Sequence, residues 1–287
     1  MFTAAEIYSR IGVRTPYYAL RNLTIPSRGS ATALLPPELP PARELTPLSL
    51  TDMSRHLSIL GLCAVASTAS SPQRRFYLAR SATLTWHTTH VLPPTTTPLP
   101  GRAVGRFTGA RRATAQALLS TDSGIVLGHI GLTYQVLSEP VFARVFSHAH
   151  RPGLSHDDGR NPFTQPLPLD NVTANGHTIT ATVTSHPQQT AGHFYDYPTL
   201  PAAVLGGAMC EAASLVLDSL TGSRVCWTPI TARFAAHVLP TANQTVTVTA
   251  CPSDSPAPDD AYAIDVTAAI GKTTVATLTL VVRIHPS

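Results

Sequence analysis

Residues 178–213 read TITATVTSHPQQTAGHFYDYPTLPAAVLGGAMCEAA, and the fold turns on this stretch. From Thr178 to Thr184, threonine alternates with Ile, Ala and Val, the period of a strand with one face on a core. A proline-rich passage follows, and then LPAAVLGGAMCEAASLVLDSL, residues 200–220, is apolar on almost every side. A helix of that character must be wrapped by other structure. The segment LSLTDMSRHLSILGLCAVASTA, residues 48–69, is similar through Leu57, Ile59, Leu60, Leu62 and Val65. Each predicted helix is followed by strand-like runs. RRFYLARSATLTWHTTHVLP (74–93) and RVCWTPITARFAAHVLP (224–240) end in the same four letters half a chain apart. SGIVLGHIGLTYQVL (123–137) and KTTVATLTLVVRIH (272–285) form a second pair. The chain therefore reads as an internal repeat of α+β type, each half one long buried helix wrapped by a curved antiparallel sheet.

The passage SHAHRPGLSHDDGRNPFTQP, residues 147–166, has no periodicity and reads as the connection between a first half, 1–146, and a second, 167–287. Shorter breaks fall at PPELPPARELTP (36–47), PPTTTPLP (93–100) and PSDSPAPDD (252–260). A 43% hydrophobic content over 287 residues can fill a real core. The net charge is +4, Lys272 is the only lysine, and no basic run alternates with aromatics, which argues against nucleic-acid binding. Arg74 with Arg75, and Arg111 with Arg112, are the basic pairs that suit an acidic partner. Cys63, Cys210, Cys226 and Cys251 have neither zinc-ligand spacing nor the pattern of a disulfide framework, and no metal is expected. His87, His90 and His237 read as surface or loop-edge residues. The N-terminal residues carry charges where a signal peptide needs an apolar run, and no stretch is expected to span a membrane, so a cytoplasmic location is expected.

The run 178–213 resembles the 3-hydroxyacyl-(acyl carrier protein) dehydratases, in which a strand leads into His-Phe-Pro-Gly-x-Pro-x-x-Pro-Gly and then a buried helix. His193, Phe194, Pro198 and Pro201 match that motif in type and spacing, and Ala208 and Met209 match the helix after it. The resemblance implies a hotdog fold, here a double hotdog, as a monomer or a homodimer. It also implies a lyase that dehydrates a 3-hydroxyacyl thioester carried by an acyl carrier protein or coenzyme A, in polyketide or specialised fatty-acid biosynthesis. No cofactor is called for. His193 would be the general base, since imidazole supplies a pKa near the working pH. The backbone N–H groups at Ala202, Ala203 and Val204 would polarise the carbonyl, because a helix start has unpaired donors. Phe194, Tyr195, Tyr197, Pro198, Pro201 and Gly207 would surround the substrate, with Tyr77 a further candidate to line it.

The motif also has departures. Gly207 stands where the family has its helix acid, and Glu211, one turn later, stands where it usually has Gln and is a candidate either to face the pocket as a catalytic acid or to cap local polar groups. Asp196 and Ala202 replace two glycines of the presenting turn. Asp52 and His56, spaced i and i+4 on the first helix, are candidates to complete the site from the other half, although Asp52 also suits a helix N-terminus. The first half has no His equivalent to His193 and reads as a degenerate site. The altered acid leaves isomerisation, thioester hydrolysis, acyl transfer and a non-catalytic acyl- or carrier-binding scaffold as alternatives.

Overall fold

The computed structural model describes residues 2–88, 91–152, 161–194 and 196–285. His90, Tyr195 and residues 153–160 of the expected connection thus lie outside the described residues.

Helix α1, Ala4–Arg10, opens on a capping box between Thr3 and Glu6. Strands β1, Arg21–Thr24, and β2, Ser30–Leu35, precede helix α2, Leu50–Ala66. Strands β3 (Arg75–Trp86), β4 (Leu99–Gly109), β5 (Arg112–Ser120) and β6 (Val126–Ser138) follow, and helix α3, Glu139–Val145, ends this series. The order then recurs, with β7 (Asp170–Asn175), β8 (Thr178–Thr184), helix α4 (Ala202–Thr221), β9 (Cys226–Ala236), β10 (Thr245–Pro252), β11 (Tyr262–Ile270) and β12 (Thr273–His285). All twelve strands form one antiparallel sheet in the order β1-β2-β4-β5-β6-β3-β9-β12-β11-β10-β8-β7. That order is the same from either end, with β3 and β9 paired at the centre from Ser81 opposite Ala235 to Thr85 opposite Thr231. Helix α2 packs on β2, β4 and β5, helix α4 packs on β8, β10 and β11, and the two helices touch.

Local chemistry sets the helix ends. Ser49 caps α2 by accepting from the Asp52 amide, and Asp52 places a carboxylate in the first turn. Helix α4 begins after Pro201, which fixes φ without needing an N–H, and ends at Gly222 in the left-handed conformation with φ 72°. Leu57, Leu60, Val65, Val216 and Leu217 are fully buried, each side chain contributing about 1.5–3 kcal/mol. Helix α4 has the length and apolarity of a membrane span, which corrects the expectation that no stretch approaches one. Val204, Leu205, Met209, Val216 and Leu217 are nevertheless buried inside the fold.

Both expected helices and the four expected long strands are present, trimmed at their ends. The first of those strands stops at Trp86, where its pairing with Gly128 of β6 ends. Strand β4 has no clean alternation in the sequence because Gly101 and Gly105 interrupt it. A Cβ at Gly101 would press on Leu35 and Leu60, and one at Gly105 on Val65, so α2 lies close over the strand.

Candidate functional site

Between α2, α4 and the central strands β3 and β9 lies a cavity of about 110 Å³. Its walls are mainly apolar: Leu50, Ile59 and Leu62 from α2, Leu78 and Leu84 from β3, and Phe234 from β9. Of the expected site residues, His193, Phe194, Ala202, Ala203 and Gly207 line it, as does Tyr77.

His193 is held from three sides. Its backbone bridges Val13 in antiparallel fashion, and the Arg14 amide donates to the Gly192 carbonyl at 2.7 Å. Its Nδ1 lies 2.9 Å from the Thr199 carbonyl, which can only accept, so Nδ1 carries the proton and Nε2 keeps its lone pair. The Tyr17 ring meets the imidazole edge-on at 4.9 Å between centroids. Burial lowers the His193 pKa to about 4, against the Thr199 hydrogen bond, which raises it. The imidazole is therefore neutral throughout the physiological range.

The turn carrying His193 is strained. Phe194 has φ 58°, in the left-handed region that L side chains rarely adopt. Its ring is gripped by Phe142, 5.0 Å away, and by Phe76, 5.7 Å away, which holds the turn in place. Gly192, with φ 74°, has no room for a side chain because a Cβ would run into the Arg14 carbonyl.

The first free donors of α4 face this site. Val204 and Leu205 donate to the Pro201 carbonyl, no side chain caps the helix, and the amides of Ala202 and Ala203 precede that ladder. Val204 itself lines a second, smaller cavity of about 70 Å³. Glu211 also lines the second cavity and sits 3.9 Å from Arg43, so it turns away from His193. Pro198 and Pro201 act through their carbonyls, which bond the Ala242 amide and the first turn of α4. Tyr197 stacks on His150 and meets Phe142 edge-on, outside the His193 cavity.

Asp52 and His56 do not reach this cavity, which corrects the expectation that one of them faces His193. Asp52 accepts from the Glu38 and Leu39 amides at 2.7 and 2.6 Å and pairs with Arg55 at 3.0 Å. His56 Nε2 donates to the Pro36 carbonyl at 2.9 Å. Arg55 is fully buried, ion-pairs with Glu38 as well, and lies 4.8 Å from the Phe163 ring centre. Burial raises the Asp52 pKa to about 6 despite Arg55, and burial together with Arg55 lowers that of His56. Glu38, Asp52 and His56 are close enough to share a metal ion, but the Arg55 guanidinium already answers both carboxylates. The cluster pins the 36–40 segment to α2. What α2 offers the His193 cavity instead is Ser54 and Ser58, one turn apart below Leu50. That i, i+4 pair of hydroxyls in an apolar helix is a local sequence signal for this wall, whereas Tyr17 and Thr199 carry none.

Gly207 has a steric reason. A Cβ there would collide with the Thr51 hydroxyl, so α2 and α4 meet closely at this point and any side chain at 207 requires Thr51 to move. Gly207→Ala is expected to lose about 1–3 kcal/mol by overpacking. Urea denaturation should show much of that loss recovered in the Gly207→Ala, Thr51→Ala double variant; no coupling between the two sites would refute the close contact.

No family model and no curated protein sequence matches the chain. Solved structures do. A protein of unknown function with a hot dog fold from Alicyclobacillus acidocaldarius is 13% identical, with a TM-score of 0.59, over 96% of this chain and 100% of that one. A Lactobacillus plantarum protein assigned as an oleoyl thioesterase is 13% identical, with a TM-score of 0.61, over 90% and 96%. The 12:0-ACP thioesterase from Umbellularia californica is 11% identical, with a TM-score of 0.56, over 89% and 97%. At these identities the likeness shows the fold, and the fold is hotdog.

Proposed function

We propose that this chain is a double hotdog, divided at 147–166, that hydrolyses acyl thioesters carried by coenzyme A or an acyl carrier protein at the His193 cavity. The observation that carries the reading is the state of His193: buried, neutral, its Nδ1–H given to Thr199 and its Nε2 lone pair left for a water molecule. Dehydration needs a proton donor on the far side of the substrate, and where the resembled family keeps one this chain has Gly207, held against the Thr51 hydroxyl. Hydrolysis needs only a base and an oxyanion site. The similar structures named as thioesterases favour the same reading.

In this mechanism the amides of Ala202 and Ala203 polarise the thioester carbonyl. His193 Nε2 takes a proton from water as its oxygen bonds to the carbonyl carbon. The carbon–sulfur bond then breaks, and the imidazolium returns the proton to the thiolate. Water becomes part of the carboxylic acid, and the carrier leaves as a thiol.

The pH dependence follows from His193. Because burial has lowered its pKa to about 4, the base stays unprotonated down to that pH, so kcat/KM should hold level from pH 8 to pH 5 and fall as pH drops through about 4. An exposed histidine would lose activity near 6.5. Thiol release from an acyl-CoA followed across this range tests it, and an inflection between 6 and 7 would remove His193 as the base.

A further inference from the structure

Behind the wall of the His193 cavity, on the outer face of the sheet, two histidines from neighbouring strands meet. Leu84 of β3 lies opposite Ile130 of β6, and both line the cavity. Side chains alternate along a strand, so the next pair, Thr85 opposite His129, points the other way. His87 follows on the same face, and its amide donates to the Leu127 carbonyl at 2.9 Å, which keeps it in line with β6. His87 is exposed and His129 half-buried. Their rings lie 4.8 Å apart between centroids and 24° from parallel. His87 Nε2 and His129 Nδ1 are 2.7 Å apart, so one of these nitrogens carries a proton and the other accepts it.

This is the arrangement of a two-imidazole chelate with a proton in the place of an ion. A neutral imidazole can move its proton to the other ring nitrogen. Among the described residues, the outer nitrogens, His87 Nδ1 and His129 Nε2, bond no protein group, so that move breaks no other protein contact. Both inner nitrogens then aim a lone pair at one point. Bonds of about 2.0–2.1 Å from a tetrahedral ion need the nitrogens about 3.4 Å apart. Opening the present 2.7 Å contact by about 0.7 Å is within reach of a ring rotation at exposed His87.

The donor set selects the ion. The residues opposite His129 on the flanking strands are Leu118 and Thr85, neither of them charged, and the two ligands are neutral nitrogens. Imidazole suits zinc, copper and nickel, whereas magnesium and calcium require oxygen. We propose that His87 and His129 form a surface site for a divalent transition-metal ion of this kind, held by His87 Nε2 and His129 Nδ1 with water in the remaining positions. The ligands are 42 residues apart in the chain, so no spacing motif announces the pair. The site is independent of the chemistry at His193. Because its ligands belong to β3 and β6, a bound ion clips the two strands together and stabilises the folded chain alone.

Calorimetric titration of zinc chloride into the full chain tests this, with the protein free of any polyhistidine tag, stripped with EDTA and held near pH 7.5, where the ligands are neutral. One zinc ion per chain should bind, and excess magnesium or calcium should not displace it. The Tm should rise with zinc concentration and return on adding EDTA. His87→Ala and His129→Ala should each weaken zinc binding at least about tenfold, because the second imidazole of a chelate acts at high effective concentration. His87 is exposed, so its variant should keep the native circular dichroism. No saturable binding of zinc, or an affinity that His87→Ala leaves within a factor of about two of the native value, would overturn the assignment.

Discussion

On the proposed mechanism, replacing His193 by Gln is expected to lower kcat for thioester hydrolysis by about 10²–10⁴-fold, the usual worth of a positioned general base. Gln retains a polar group of similar reach but has no basic lone pair. The loss should therefore fall on kcat with KM little changed, since acyl-chain contacts with α2 and β3 remain. The neutral state of the native imidazole also makes the exchange mild for folding, because no buried charge is removed. Far-UV circular dichroism would confirm an intact sheet, and stopped thiol-release assays would give the rates. A His193→Gln protein that turns over acyl thioesters within a factor of about two of the native rate would take His193 out of the chemistry.

Replacing Arg55 by Ala should be the most damaging change to stability, costing about 3–5 kcal/mol at neutral pH, because it strands partners of a buried ion pair. Asp52 would keep its two backbone donors from the 36–40 segment but lose the guanidinium, and Phe163 would lose the cation over its ring. The pH dependence gives this prediction a direction. The Asp52 pKa is already raised to about 6 in the folded protein against 3.8 for a free side chain, so its contribution to stability is full below about 3.8 and is lost as pH rises through about 6. Without Arg55 the folded value rises further. The destabilisation at pH 7 should accordingly shrink as pH is lowered towards 4, where Asp52 is protonated in both folded proteins. Urea midpoints of the native and Arg55→Ala proteins between pH 4 and pH 7 measure this, and a loss that is small or independent of pH would contradict the buried cluster.

The contrast between these two residues shows what the sequence could and could not convey. His193 was legible because its neighbours carry local signals: prolines at 198 and 201, and an apolar helix after them. The same local logic reaches both helices and the strands with clean alternation, and it does not reach β4 because Gly101 and Gly105 are glycine to admit α2, a tertiary cause. Asp52 and His56 were correctly placed on one helix, but spacing cannot say which neighbour a face meets. The answer depended on Glu38 and on the amides around Leu39, brought in from a proline-rich approach with no period of its own. Tyr17 belongs to an N-terminal segment that pairs with the His193 turn only in three dimensions. Gly207 was legible as a missing acid, whereas the Thr51 hydroxyl held against it was not.

On the proposed function, the His193 cavity adds water to a thioester carbonyl. Incubation of the protein with 3-hydroxybutyryl-CoA in ¹⁸O-enriched water, followed by mass spectrometry of both products, tests it directly. Free coenzyme A and, in equal amount, 3-hydroxybutyrate bearing one ¹⁸O in its carboxylate are expected, both strongly reduced with the His193→Gln protein. A product that is still a thioester but lighter by one water would contradict hydrolysis and return the chain to dehydration, and an unchanged substrate would contradict hydrolysis as well.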